Sequence, residues 1–312
     1  MGGNVFKDKT DSIKIQNIEP TLNQYFAELK ALFPKKAFIF NSKCFISLGS
    51  VGKKPTSGDI DLGIDIAHLL DFKNLIPSIN EWGLNVESIQ TEMNLLQKRA
   101  RTSTPEQCMI KAFLKILTEY INSHAPNLYC DENKVTAGNI FGLFPQYNPD
   151  GTQVGIGVQI DWMVGDIEWI KFSYYSSSYP VGSNVKGLHR TQLMLAAFQV
   201  ANLSFNHTSG VKDKDTGLII ATTPEEALVE LNSRLKTHIT ISDAAEYYKL
   251  QSILEDELRA DRYSLMLDTY FKILESTRCD IPDNLQFQWK KRKDRLGLMG
   301  KFLPDNSALK GL

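Results

Sequence analysis

The chain has 312 residues, of which 42% are hydrophobic and 23% charged, and its formal net charge is −1 at pH 7. This composition is typical of an ordinary globular protein and creates no overall positive field that would attract nucleic acid or anionic lipid. The four cysteines are widely separated, no signal peptide is evident, and no apolar run approaches the ~20 residues of a membrane helix. We therefore expect a cytoplasmic protein with no membrane partner.

The first part of the chain alternates between helical and strand-like patterns. Apolar residues at helical spacing predict three helical segments: residues 17–33, 68–83 with a break near Pro77, and 104–124 with Thr104 as the N-cap. Short apolar or alternating runs predict five strands: 36–40, 44–48, 59–66, and one run on each side of the turn signal at 148–151, the second ending at Asp161.

The pattern becomes mainly helical after about residue 180. Helices are predicted over 184–203, 223–232 and most of 241–276, with a hairpin over 205–222 and a basic segment, "KKRKDR", at 290–295. The sequence therefore predicts an α+β protein with two domains. A mixed α/β domain would occupy residues 1–180, and a mainly helical domain would occupy residues 181–312.

The most informative stretch is "SLGSVGKKPTSGDIDLGID", which runs from Ser47 to Asp65. On a strand, residues i and i+2 point to the same face about 7 Å apart, so Asp59 and Asp61 share a face. Two such carboxylates can hold a pair of Mg²⁺ ions about 3.5–4 Å apart, the arrangement used for in-line phosphoryl displacement. The preceding Gly49-Ser50 turn offers close backbone approach, N–H donors and a hydroxyl to a triphosphate.

Two other interpretations of this stretch are available. A Walker phosphate loop is excluded, because its pattern requires Gly at 47 and Ser or Thr at 54, where this chain has Ser47 and Lys54. The second interpretation is structural: a turn followed by an edge strand whose solvent-facing acids discourage aggregation.

Gly49-Ser50, eight further residues and then Asp59-Ile60-Asp61-Leu62 resemble the signature of the DNA polymerase β-type nucleotidyltransferase superfamily. In that family an apolar strand ends in Gly-Ser, and a loop leads to Asp-x-Asp on the next strand. The resemblance implies a mixed sheet with helices on one face and the two acidic strands side by side. It also implies a third carboxylate on a later strand, for which Asp161 in "VGIGVQIDWMV" is the candidate. The loop is at the short end of the family's range and carries Lys53-Lys54 where many members have Arg-Gly.

The reaction implied by this resemblance is the transfer of a nucleoside monophosphate from an NTP to an acceptor hydroxyl, with release of pyrophosphate. Asp59 and Asp61 would bind two Mg²⁺ ions, for which Mn²⁺ can substitute, and Asp161 would bind one of them and help as a base. Gly49 and Ser50 would hold the β- and γ-phosphates. Further charge partners are expected from three basic residues: Lys53, Lys186 and Arg190.

Lys186 and Arg190 also resemble a feature of this family. The two residues are four apart at the start of a predicted helix, where related enzymes often have a lysine that contacts a nucleotide wedged between two domains. A solvated basic face is the alternative. Tyr174, Tyr175 and Tyr179 are candidates for stacking on a base or for packing. Asp65 and Asp166 are not assigned to the site.

The acceptor is the least determined part of the prediction. The basic segment 290–295 is either a handle for the backbone of RNA or DNA or a solvated helix face next to Trp289. The near-neutral net charge argues against a polymerase that grips long duplex, so we expect the 3′ end of a nucleic acid as the acceptor, with RNA or a single strand as the partner. Transfer to a protein, a small molecule or a second NTP remains an alternative. A nucleotide-binding regulatory module without turnover is a further alternative.

Overall fold

The computed structural model describes residues 5–49, 51–99, 103–174 and 183–302. The described residues fall into two compact units. The first unit contains the residues up to Tyr174 together with Asn206–Val211 and Ile219–Ala227. The second unit contains the residues from Ser183 to Phe205, Lys212–Leu218 and the residues from Leu228 onward.

Helices and strands alternate along the described chain, and helices predominate in its second part. The helices are α1 (Ile15–Leu32), α2 (Ile66–Leu69), α3 (Leu75–Glu81), α4 (Val86–Arg99), α5 (Pro105–His124), α6 (Ile167–Tyr174), α7 (Gly187–Val200), α8 (Pro224–Leu235), α9 (Ile241–Ala245), α10 (Tyr247–Glu257), α11 (Ala260–Ser276) and α12 (Gln286–Phe302). The strands are β1 (Ile13–Lys14), β2 (Phe45–Ser47), β3 (Thr56–Ser57), β4 (Asp59–Asp65), β5 (Tyr129–Cys130), β6 (Asn139–Tyr147), β7 (Gln153–Gly165), β8 (Leu203–Asn206), β9 (Gly210–Asp213) and β10 (Ile219–Ala221).

The main sheet of the first unit has five strands in the order β2-β4-β7-β6-β5. β4 and β7 are parallel, and the other neighbouring pairs are antiparallel, so the predicted α+β fold with a mixed sheet is confirmed. In the register of the parallel pair Asp61 lies opposite Asp161. The prediction that the two acidic strands are neighbours is therefore also confirmed.

One face of this sheet forms the main hydrophobic core. Alternate residues of β4 and β7 point to it because successive side chains of a strand point to opposite faces. These residues pack with α1 and α5: Ile60, Leu62 and Ile64 of β4, and Val158, Ile160, Trp162 and Val164 of β7. The indole Nε1 of Trp162 donates a hydrogen bond of 2.7 Å to the Tyr25 hydroxyl, which pairs the polar atoms of two fully buried aromatic residues.

The opposite face of the sheet carries the acids and is partly covered by α6. Ile170 of α6 packs against Leu48 and Met163, so the prediction that helices lie on one face is wrong for this helix. The chain turns directly after β7, where the Asp166 carboxylate accepts a 2.9 Å hydrogen bond from the Trp169 backbone N–H. This acidic cap starts α6 at the end of the strand and directs the helix back over Met163.

The loop between β2 and β4 is held by the N-terminal segment at the end that adjoins β4. β1 pairs antiparallel with β3, with Ile13 opposite Ser57, and the backbone N–H of Ile15 donates to Pro55 O at 2.9 Å. These contacts anchor the chain two residues before Asp59. Both ends of the loop are therefore fixed, because β2 before the loop pairs with β4 and β3 at the end of the loop pairs with β1. Asp59 and Asp61 lie directly after the second of these anchored ends.

Two sequence predictions in this unit are wrong in their details. Residues 36–40 form no strand but belong mostly to a 3₁₀ helix, Pro34–Ile39, because Pro34 supplies the fixed φ of a first helical turn and Ile39 and Phe40 point into the core. The break in the helical run 68–83 lies between α2 and α3, not at Pro77, which sits in the first turn of α3. The helix over 104–124 is confirmed as α5, with a capping box between Thr104 and Gln107.

The second unit consists mostly of helices. The predicted helix over 184–203 is confirmed as α7, which packs against α11. The Tyr270 hydroxyl of α11 donates to the buried carbonyl oxygen of His189 at 3.1 Å. Residues 203–221, which include most of the segment predicted as a hairpin and are divided between the two units, contain three paired strands in the order β10-β9-β8. Among the described residues, no helix combines the length and the apolar character needed to cross a membrane.

Candidate metal centre on the acidic face of the sheet

Three aspartates meet on the acidic face of the five-stranded sheet. Asp59 and Asp61 come from β4 and Asp161 from β7, and one carboxylate oxygen of each lies within 4.8 Å of the others. Oxygens on opposite sides of a Mg²⁺ ion are about 4.2 Å apart, given Mg–O bonds of about 2.1 Å. The three side chains therefore need to move by less than about 1 Å to share an ion.

The three carboxyl groups share a poorly solvated environment. Asp59 and Asp161 are only 7% and 1% exposed, and Asp61 is partly exposed. Burial, followed by repulsion from Asp59, raises the pKa of Asp61 to about 7. Burial, followed by repulsion from Asp61, raises the pKa of Asp161 to about 8. A cluster of like charges in a buried place is costly without a compensating cation, so its chemistry suits a metal ion.

The hydrogen bonding of Asp161 supports the same conclusion. Its Oδ2 accepts a 2.8 Å hydrogen bond from Nε2 of Gln159, whereas its buried Oδ1 has no hydrogen-bond partner among the described residues. A buried carboxylate oxygen without a partner, on a residue grouped with two other carboxylates, is best explained by a ligand that binds there. The donor set is all oxygen, which fits a hard cation such as Mg²⁺.

The backbone at Gly49 lies directly against the Asp61 side chain. β2 pairs antiparallel with residues 62–64 of β4, and Leu48 N donates to Asp61 O at 2.9 Å, which places the next residue beside the acid. Gly49 has a φ of +59°, and a Cβ there would lie 2.6 Å from Asp61 Oδ2. Only glycine meets both conditions, so this position keeps space open next to the carboxylates.

The other predicted residue of the phosphate-binding turn that is described is Lys53. Its Nζ donates a 3.1 Å hydrogen bond to Gly49 O, so its charge is held on the turn that passes beside Asp61. Ser50 lies outside the described residues. The structure thus brings together the five described residues that are predicted to bind the metal ions and the triphosphate in the first unit: Gly49, Lys53, Asp59, Asp61 and Asp161.

Lys186 and Arg190 belong to the second unit. Lys186 is half-exposed, with its Nζ 3.4 Å from the carboxylate of Asp280. Arg190 is fully buried and its Nε donates to Ala244 O at 2.6 Å, so the alternative of a solvated basic face does not apply to it. Their contact with a triphosphate stays a prediction. Of the tyrosines, Tyr175 and Tyr179 lie outside the described residues.

Tyr174 is close enough to the triad for the charge of Asp61 to act on it. Burial and, after it, the negative charge of Asp61 raise the pKa of Tyr174 to about 12. Its ring stacks on that of His207, with centroids 5.1 Å apart and an angle of 30° between the rings. This aromatic contact is a packing role, one of the two that the sequence allowed.

The basic segment 290–295 lies on α12 and is largely engaged within the second unit. Arg292 is 7% exposed, and its Nε lies 2.9 Å from Asp268 Oδ1. Lys293 pairs with Glu275 at 2.9 Å and Arg295 with Asp268 at 3.2 Å. Three of the five basic side chains therefore have acidic partners in this unit, which leaves less positive charge for a nucleic-acid backbone than the sequence predicts.

Two acids near the triad have other roles. Asp65, further along β4, accepts a 2.8 Å hydrogen bond from Ala67 N and caps α2. Asp166 caps α6. Neither is among the three residues that could hold a metal ion. Sequence reasoning missed Gln159, although a polar residue two positions before Asp161 in an apolar strand was a signal that it shares the acidic face.

Comparison of the chain with models of known protein families gave no match, and comparison with curated proteins also gave none. The assignment of chemistry to this centre therefore depends on the residues themselves. They form a buried group of three carboxylates that could hold a metal ion, beside a glycine turn that carries a lysine.

Proposed function

We propose that this chain is a Mg²⁺-dependent nucleotidyltransferase, which transfers a nucleoside monophosphate from an NTP to an acceptor hydroxyl and releases pyrophosphate. The observation that carries the proposal is the triad of Asp59, Asp61 and Asp161, which have carboxylate oxygens within 4.8 Å of one another. The buried Oδ1 of Asp161 has no hydrogen-bond partner among the described residues. The resemblance of the Gly-Ser and Asp-x-Asp spacing to polymerase β-type enzymes supports the same reaction.

In this proposal each residue has a distinct task. Asp59 and Asp61 hold two Mg²⁺ ions, and Asp161 holds one of them. The bound ions neutralise phosphate charge and favour ionisation of the attacking hydroxyl. Gly49 and Ser50 bind the β- and γ-phosphates, because backbone N–H groups at this turn can approach the phosphate oxygens closely. Lys53, held on the Gly49 carbonyl, supplies a positive charge to the leaving pyrophosphate.

For the acceptor we propose a hydroxyl at the 3′ end of a nucleic acid, as the basic residues of α12 suggest. The ion pairs of Arg292, Lys293 and Arg295 with acids of the second unit favour a second candidate, a small acceptor such as another NTP. Lys290 and Lys291 on the same helix are the matching test residues for the nucleic-acid acceptor.

The test is to incubate the protein with each NTP labelled at the α-phosphate, in Mg²⁺ or Mn²⁺. The incubations are run alone and with tRNA, oligonucleotides or lysate protein. We expect label on one class of acceptor with the wild type and with Asp65→Asn, and none with Asp61→Asn. Asp65→Asn is a matched control because it changes an acid of the same strand that caps α2 and keeps a capping side chain. The absence of label from every fraction with the wild type would contradict the proposed reaction.

A further inference from the structure

Gln159 is a polar side chain in an otherwise apolar part of β7, and it is only 1% exposed. It faces the same side of the sheet as Asp161, and its partner across the parallel register is Asp59. A glutamine that is buried among the acids needs hydrogen bonds at both ends of its amide. The structure provides them: Oε1 accepts from Val5 N at 3.1 Å, and Nε2 donates to Asp161 Oδ2 at 2.8 Å.

The chemistry of these partners determines which way the amide points. A backbone N–H can only donate, so the oxygen end of the Gln159 amide must face Val5. The NH₂ end is then directed at Asp161, whose Oδ2 accepts the hydrogen bond. The backbone of Val5 thus orients Gln159, and Gln159 in turn orients the carboxylate of Asp161.

We propose that Gln159 is a positioning residue, which engages Oδ2 of Asp161 so that Oδ1 faces the other two aspartates and binds a divalent cation as a single ligand atom. This inference rests on the metal-binding part of the proposed function. It explains why one oxygen of Asp161 is hydrogen-bonded while the other, equally buried, has no partner among the described residues. Groups that orient metal ligands in this way typically change metal affinity about 10–100-fold when they are removed.

The experiment compares Gln159→Leu with Gln146→Leu in titrations of the full chain with Mn²⁺, without nucleotide, by calorimetry. Gln146 is a matched control because it is also buried in the sheet, and its Nε2 donates to the backbone carbonyls of Asp11 and Gly157. We expect Gln159→Leu to weaken Mn²⁺ binding about 10–100-fold and Gln146→Leu to bind like the wild type. An unchanged affinity in Gln159→Leu, or an equal loss in both variants, would overturn the proposal.

A crystal structure of the wild type with Mn²⁺ tests the same point without depending on the folding of a variant. We expect Asp161 to bind through Oδ1 while Gln159 still donates to Oδ2. The proposal is wrong if both oxygens of Asp161 bind the ion or if Gln159 points away.

A third measurement is the Mg²⁺ concentration for half-maximal transfer. We expect it to rise in Gln159→Leu while kcat at saturating Mg²⁺ stays within about threefold, since a positioning residue acts on affinity for the metal. A lower kcat with an unchanged Mg²⁺ requirement would argue against this role.

The outcomes also separate this inference from the proposed function. If the wild type binds Mn²⁺ with the expected dependence on Gln159 but transfers no nucleotide, the proposed reaction is wrong and the role of Gln159 stands. If transfer occurs and Gln159→Leu binds Mn²⁺ normally, only this inference fails. If the wild type binds no Mn²⁺ in the titration or the crystal, the metal centre and the inference both fail.

Discussion

The acidic triad of the first unit and the basic helix α12 of the second unit are both dense charge clusters, but their charges are compensated differently. In the triad, the charged neighbours that shift the pKa values of Asp61 and Asp161 most are other aspartates. On α12, Arg292, Lys293 and Arg295 pair with Asp268 and Glu275. Basic side chains that pair with acids of the same unit stabilise the fold. Carboxyl groups whose pKa values are raised by neighbouring carboxyl groups are instead available to bind a cation.

The largest expected effect is the loss of nucleotidyl transfer when the acidic triad, but not the basic helix, is changed. Asp161→Asn should reduce nucleotidyl transfer by about 10³-fold or more, because it removes a charged ligand from the metal centre. Lys290→Ala with Lys291→Ala should leave transfer to a small acceptor within about threefold. Single-turnover assays with α-labelled NTP measure both. If the lysine variant lost as much activity as the aspartate variant, the two clusters would not differ in the way proposed.

A smaller effect is expected on stability when the basic cluster is broken. Arg292→Met should lower the free energy of unfolding by about 1–3 kcal/mol, because it leaves Asp268 and Glu275 with weaker partners in a partly buried place. Arg295→Met, at a side chain that is 54% exposed, should cost less than about 0.5 kcal/mol. Urea unfolding of both variants gives the comparison. Equal losses of unfolding free energy in the two variants would indicate that the ion pairs of Arg292 are not strengthened by its burial.

The acids should make the metal-free protein less stable as the pH rises. With folded-state pKa values of about 7 for Asp61 and 8 for Asp161, the folded chain keeps protons that the unfolded chain releases near pH 4. Stability from these groups is therefore highest below about pH 4 and falls until about pH 8.

Thermal unfolding in a chelator at pH 5.5 and pH 8 measures this fall. Asp161→Asn should reduce it, and Asp65→Asn should leave it unchanged, because Asp65 caps α2 and is outside the triad. Added Mg²⁺ should restore stability at pH 8. A wild type that is equally stable at both pH values would mean that the acids do not repel one another in solution.

The smallest expected effect concerns the space beside Asp61. Gly49→Ala and Gly52→Ala both place a Cβ at a positive φ, +59° and +72°, and each should cost about 1 kcal/mol for backbone strain. The first also places the Cβ 2.6 Å from Asp61 Oδ2, whereas nothing lies within 4 Å of the second. Gly49→Ala should therefore weaken Mn²⁺ binding severalfold, and Gly52→Ala should not. Calorimetry distinguishes them, and equal Mn²⁺ affinities would show that the turn does not shape the centre.

The sequence by itself determined the local parts of this protein that follow from short-range rules. Alternation along β4 placed Asp59 and Asp61 on one face, because the period of a strand depends only on its own backbone. The third acid, Asp161, was expected from the resemblance to polymerase β-type enzymes. Thr104 predicted the start of α5 for a similar reason, since an N-cap bonds only to the first turn of its own helix.

Only the tertiary structure decided the features that depend on residues distant in the chain. The 3₁₀ helix at Pro34–Ile39 replaced a predicted strand because packing of Ile39 and Phe40 into the core overrides a short apolar pattern. The burial of Arg190 and the ion pairs of Arg292 depend on partners more than 15 positions away. The role of Gln159 likewise became visible only when the N–H of Val5, 154 residues earlier in the chain, was seen to orient its amide, because no short-range rule connects them.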